Sequence, residues 1–121
     1  MDEFRALFVD DEEELVSAMV ERLSYRGVMA DYVVTGAEAL VKIRKNDYSI
    51  VVLDLKMPGM SGADVLKVIN KEYPDLPVFL ITGHGIDETD MTGLPEGAYD
   101  YISKPIDLEV LLNKMKEAVK R

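Results

Sequence analysis

The chain has 121 residues, 48% apolar and 31% charged, an ordinary globular balance with length enough for one core. It has no cysteine and a single histidine, which excludes disulfide scaffolds, cysteine-ligated metals and cysteine nucleophiles, and leaves any Ser-His-Asp triad resting on His84 alone. Lys and Arg number 14 against 23 Asp and Glu, and the resulting charge of −9 disfavours direct nucleic-acid binding and suits bound cations or basic partners.

Ala6–Val9 is a short apolar run followed at once by acid, and predicts a first strand. From Glu12 to Tyr25, Leu15, Val16, Met19, Val20 and Leu23 recur at helical spacing. Asp11 is the expected N-cap of that helix, Glu12, Glu13 and Glu14 suit its positive end as a solvated start, and Gly27 is its stop. Val28–Val34 is a second strand. Thr35, with Glu38 three residues on, has the form of a capping box and opens a helix carrying Ala39, Leu40 and Ile43. Ser49–Leu53 is a continuous run of the kind buried on both faces of a parallel sheet, and it ends at Asp54. Lys56–Gly62 is loop chemistry, with Met57 and Met60 as packing residues, and Ser61 caps a third helix bearing Val65, Leu66 and Ile69. Val78–Ile81 is a fourth strand ending at Thr82, and Tyr99–Ser103 a fifth ending at Lys104-Pro105. Asp107 caps a last helix with Leu108, Leu111, Leu112, Met115 and Val119 on its buried side.

Between Gly85 and Gly97, Gly93 and Pro95 oppose a helix interior by about 1 and about 3 kcal/mol relative to Ala. A short, distorted or mobile fourth helix is expected there. Strand and helix otherwise alternate five times, which predicts a single α/β domain over 1–121 with a parallel sheet. No segment approaches the roughly 20 apolar residues of a membrane span, and the acidic start lacks the layout of a signal peptide, so a cytoplasmic protein is expected.

Sites in parallel α/β sheets lie at the carboxyl ends of the strands. There the sequence places Asp10, Asp11, Asp54, Thr82 and Lys104. Three clustered carboxylates raise one another's pKa values unless a cation relieves them, and oxygen ligands suit Mg²⁺. Mg²⁺, Lys104 and the Thr82 hydroxyl would provide three separate stabilisers for a phosphoryl group. Asp54, fixed behind an apolar strand and followed by a Pro/Gly loop, is the candidate nucleophile for an aspartyl phosphate. Read one at a time, these residues have plainer roles: Asp11 a cap, Asp54 the start of a turn, Thr82 a turn residue, Lys104 a solvated lysine. His84 reads as an exposed loop residue.

FVDDEEE, VVLDLKMPGMSG, LITGHG and GAYDYISKP, in that order and at those strand ends, resemble the receiver domain of two-component response regulators over essentially the whole chain. The likeness is greatest to receivers of NtrC-like regulators and hybrid kinases. The resemblance implies a flavodoxin-like (βα)5 sandwich with a five-stranded parallel sheet in order 2-1-3-4-5. It implies Asp54 as phosphoacceptor, with Asp11 and Asp54 as direct Mg²⁺ ligands, Asp10 acting through water and the Lys56 backbone carbonyl completing the protein's share. Thr82 and Lys104 would hold the phosphoryl group. Tyr101 stands at the family's switch-aromatic position, with plain packing as the other reading, and Lys104-Pro105 matches a bond that is cis in the family. His84 and Lys56 stand where relatives tune phosphate lifetime.

The implied donor is the phosphohistidine of a sensor histidine kinase or phosphotransfer protein, with homodimerisation an open option and no direct nucleic-acid or membrane partner. Such a domain would catalyse its own phosphorylation and dephosphorylation without turning over an external metabolite. The alternative is a degenerate receiver acting as an interaction module, against which the complete set of site residues argues. An aspartate-nucleophile phosphatase needs an acid two residues after the nucleophile, where Lys56 stands, and a flavodoxin needs a hydroxyl- and glycine-rich loop where DDEEE stands.

Overall fold

Alternation along the central strands divides the core in two. Ala6 and Phe8, Ile50 and Val52, and Phe79 and Ile81 enter one cluster of buried side chains, while Leu7 and Val9, Val51 and Leu53, and Val78 and Leu80 enter another. Successive strand residues point to opposite faces, so an unbroken apolar run is what a strand covered on both sides requires.

The computed structural model describes residues 4–83 and 96–120. Strands β1 (Arg5–Val9), β2 (Met29–Val33), β3 (Ile50–Asp54), β4 (Val78–Thr82) and β5 (Asp100–Ser103) form one parallel sheet in order β2-β1-β3-β4-β5. Helices α1 (Glu13–Ser24) and α4 (Leu108–Val119) bury Val16, Met19, Leu23, Leu111, Leu112 and Met115 on one face. Helices α2 (Gly36–Lys45) and α3 (Gly62–Glu72) bury Ala39, Leu40, Ile43, Val65, Leu66 and Ile69 on the other. This is the α/β sandwich with a parallel sheet that the alternating pattern predicts, in the flavodoxin-like strand order that the resemblance implies. Each such aliphatic side chain contributes about 1.5–3 kcal/mol when fully buried. Among the described residues no helix is long and apolar enough to cross a membrane.

The caps show how local chemistry sets the helix starts. Thr35 accepts from the Glu38 N–H at 3.1 Å, although the returning Glu38 carboxylate bonds the N–H of Val34 rather than that of Thr35. Ser61 and Asp64 form a complete capping box, and Asp107 accepts from the N–H groups of Glu109 and Val110. At α1 the expectation fails. The N-cap is Glu12, not Asp11, and it makes no side-chain cap bond. Asp10, one residue further back, accepts the N–H of the cap residue itself, its Oδ1 2.9 Å from the Glu12 nitrogen. Gly27 ends the α1 connection at φ +79°, a conformation that favours glycine.

Two helix faces differ in detail from the periodic reading. Leu15 of α1 is exposed, and in α4 Ala118 is buried while Leu108 and Val119 are only partly so. The segment expected to form a short or distorted helix at 86–97 falls, except for Glu96 and Gly97, outside the described residues.

Candidate functional site

Parallel register brings the acids together. Ala6, Leu7, Phe8 and Val9 pair with Ile50, Val51, Val52 and Leu53, so the next residue on each chain is Asp10 beside Asp54. Both are buried, and with the exposed Asp11 they form a group whose carboxylate oxygens lie within 4.8 Å of one another. Backbone bonds hold the rims: Asp10 N–H to Val33 O at 3.2 Å, Leu55 N–H to Ile81 O at 2.9 Å and Lys104 N–H to Thr82 O at 3.0 Å.

Asp54 leads into a tight connection. The Lys56 N–H donates to its Oδ1 at 3.3 Å, and the Gly62 N–H bonds Leu55 O at 3.0 Å. A Cβ at Gly62 would collide with the Asp54 carbonyl oxygen and stand 2.7 Å from Leu55 Cα. The start of α3 is therefore pressed against the end of β3, and glycine is what permits the approach. Met57, expected to pack, is buried in the α2/α3 core, whereas Met60 is exposed.

Lys104 reaches in from the end of β5. Its Nζ is 3.8 Å from Asp10 Oδ2 and 3.8 Å from Asp54 Oδ2. Burial, then the neighbouring charge of Asp10, pushes the Asp54 carboxyl up to about 6, with Lys104 pulling the other way. Burial also raises Asp10, against the opposing Glu12 N–H bond and the Lys104 charge. Burial by itself would lower the Lys104 ammonium, but its Glu12 bond and the Asp10 and Asp54 charges outweigh that and raise it. Thr82 is buried beside this cluster, its hydroxyl donating to Ile102 O at 3.4 Å. Tyr101 is half-buried against the α2/α3 core. The Lys104–Pro105 peptide is cis.

The described structure thus brings Asp10, Asp11, Asp54 and Lys104 together, with Thr82 at the neighbouring strand end. His84 lies outside the described residues. Glu12, Glu13 and Glu14 are exposed, as a solvated helix start requires, and two of them also make side-chain contacts. Glu12 Oε1 binds Lys104 Nζ at 2.7 Å, and Glu13 accepts from the Tyr32 hydroxyl at 3.2 Å. No sequence signal marks the first of these contacts, because its partners lie 92 residues apart.

The donor set fits a hard divalent cation. Three carboxylates, two of them with raised pKa values, face one ammonium, and a cation held by oxygen ligands relieves that excess of negative charge.

A profile for the response regulator receiver domain matches residues 6–116. The chain is similar to the transcriptional regulatory protein YkoG of Bacillus subtilis (strain 168), 34% identical over 121 residues, covering 100% of this chain and 53% of the relative. It is similar to the C4-dicarboxylate transport transcriptional regulatory protein DctD of Rhizobium meliloti (strain 1021), 34% identical over 110 residues, covering 91% of this chain and 24% of the relative. Among solved structures it resembles a CheY-like response regulator receiver domain protein from Methanospirillum hungatei JF-1, with TM-score 0.87 and 29% identity over 98% of this chain and 95% of that one. The chain therefore spans about half or a quarter of the length of these curated relatives.

Proposed function

The chain belongs to the response regulator receiver domain family, and from that premise we propose that Asp54 accepts a phosphoryl group from a phosphohistidine of a histidine kinase or phosphotransfer protein. Receivers are the regulatory phosphoacceptors of two-component systems. The observation that carries the proposal for this chain is the convergence of Asp10, Asp11, Asp54 and Lys104 on one strand-end cluster, with Lys104 3.8 Å from the candidate nucleophile.

In the proposed reaction an Asp54 carboxylate oxygen attacks phosphorus in line. The O–P bond forms as the N–P bond of the donor breaks, and the electron pair of that bond stays on the imidazole nitrogen. Asp10, Asp11, Asp54 and the Lys56 backbone carbonyl would hold Mg²⁺, which when bound supplies charge neutralisation at the phosphoryl oxygens. The Lys104 ammonium pairs with the incoming phosphoryl oxygens. The Thr82 hydroxyl exchanges its long bond to Ile102 O for a phosphoryl oxygen. Tyr101, packed beside that strand end, is the candidate to follow the Thr82 movement and report it at the surface. Attack by water on phosphorus later returns the carboxylate and releases phosphate. The domain thus catalyses changes to itself and turns over no external metabolite. Phosphorylation biases two pre-existing arrangements of the same fold.

The test is intact mass after incubation with Mg²⁺ and acetyl phosphate, beside Asp54→Ala. One hydroxylamine-labile phosphoryl adduct on the wild type alone is the expected result. No adduct from acetyl phosphate, and none from a phosphorylated kinase, would overturn the proposal and favour a phosphorylation-independent interaction module.

A further inference from the structure

The shortest contact of the site lysine is not with the proposed phosphoacceptor. Lys104 Nζ is 2.7 Å from Glu12 Oε1 but 3.8 Å from the carboxylates of Asp10 and Asp54. The three acids at the start of α1 are not equivalent. Glu13 is taken by the Tyr32 hydroxyl, and Glu14 contributes its backbone carbonyl to the Ser17 hydroxyl. Glu12 alone of the three turns to Lys104. The Glu12 side chain makes no cap bond at the start of α1 and so is available to Lys104, while its backbone N–H is taken by Asp10. The partners differ in exposure: the Glu12 side chain is 58% exposed and that of Lys104 22%. The pair therefore spans the mouth of the site, with its acidic end in solvent.

We infer that Glu12 is a positioning residue that holds Lys104 away from Asp54 until a phosphoryl group arrives. The inference rests on the phosphoacceptor reading above and deepens it. An aspartyl phosphate presents anionic oxygens where Lys104 now meets only two carboxylates at 3.8 Å. Glu12 then competes with those oxygens for the Lys104 ammonium, which its shortest contact draws toward the mouth of the site. The Glu12–Lys104 bond thus opposes the phosphorylated arrangement and sets part of the threshold for switching. A partly exposed ion pair is worth enough to change an equilibrium about two- to five-fold, which is a tuning effect and not an on–off one.

The test compares wild type, Glu12→Gln and Glu14→Gln, the last removing the same charge from the same helix start without touching Lys104. With saturating Mg²⁺ and beryllofluoride as the phosphoryl mimic, Glu12→Gln is expected to bind the mimic about two- to five-fold tighter than wild type, with Glu14→Gln matching wild type. In the Mg²⁺-free protein, nitrogen-15 spectra of the lysine ammonium groups are expected to show the Lys104 signal moved by Glu12→Gln and unmoved by Glu14→Gln, a response that a general change of field would not produce. Equal behaviour of the two variants in either measurement overturns the inference and leaves the phosphoacceptor reading standing. A wild-type protein that binds no beryllofluoride and takes no phosphoryl group from acetyl phosphate overturns both.

Discussion

Asp54 and Lys104 face each other across the end of β4: Asp54 closes β3, Lys104 follows β5, and Asp54 Oδ2 lies 3.8 Å from Lys104 Nζ. The intervening strand ends at Thr82, whose carbonyl accepts the Lys104 N–H. Three strand ends therefore fix one another.

Asp54 makes the apo protein sensitive to pH. Its carboxyl rises from 3.8 to about 6 on folding, so the folded state holds the proton more tightly. The stabilisation this provides is complete below the unfolded value and is lost as pH rises through the folded one. Without divalent cations, Asp54→Asn is expected to be more stable than wild type by about 1–3 kcal/mol near neutral pH. That gap should close as pH falls through the interval between the two values. Urea unfolding across the range checks this, and a gap that ignores pH would remove burial of the charge as its cause.

Mg²⁺ is expected to raise the Tm of the wild type, and a chelator to reverse the rise. At a hundred times its dissociation constant, a bound ion adds about 2.7 kcal/mol. Asp11→Asn should shrink the response and Asp54→Asn should nearly abolish it, read by thermal unfolding with and without the ion. An undiminished rise in Asp54→Asn would place the ion somewhere other than the three carboxylates.

Gly62→Ala tests the contact between α3 and the acceptor strand. The new methyl group meets backbone of Asp54 and Leu55, which has little freedom to withdraw. A loss of about 1–3 kcal/mol is expected, together with a slower reaction with acetyl phosphate because Asp54 is displaced. Wild-type stability in this variant would show that the approach relaxes easily.

Thr82→Val separates stability from function. The hydroxyl is buried, but its bond to Ile102 O is long at 3.4 Å. A change of about 1 kcal/mol or less in urea unfolding is expected, while the steady-state phosphoryl adduct falls several-fold. Loss of fold stability with an unchanged adduct would make Thr82 a structural residue only.

Much of this was legible in one dimension. The run from Ile50 to Leu53 marks a strand covered on both faces, and both of its parities are filled from opposite sides. Ser61 and Asp107 announce helix starts through short-range bonds to their own backbone. Ser61 by itself marks only half of its capping box, since the second arm comes from Asp64. Asp11 has the residue type of an N-cap, but α1 begins one residue later with Glu12 at the cap, and Asp10 accepts the Glu12 N–H from two residues before it.

Periodicity, punctuation and the polar residues at strand ends are local properties, and they suffice for the order of the described elements, the parallel sheet and the candidates Asp10, Asp11, Asp54, Thr82 and Lys104. Distances across the site are not local. Asp10 stands beside Asp54 because β1 and β3 pair in one particular register, and a slip of one residue would turn either side chain to the opposite face. Glu12 meets Lys104 because the sheet order and the β5–α4 connection bring together residues 92 positions apart. Burial then raises the Asp54 carboxyl to about 6, a value no isolated aspartate shows. Residue type thus supplies the chemistry available at the strand ends, and only packing decides which charges meet and how strongly each holds its proton.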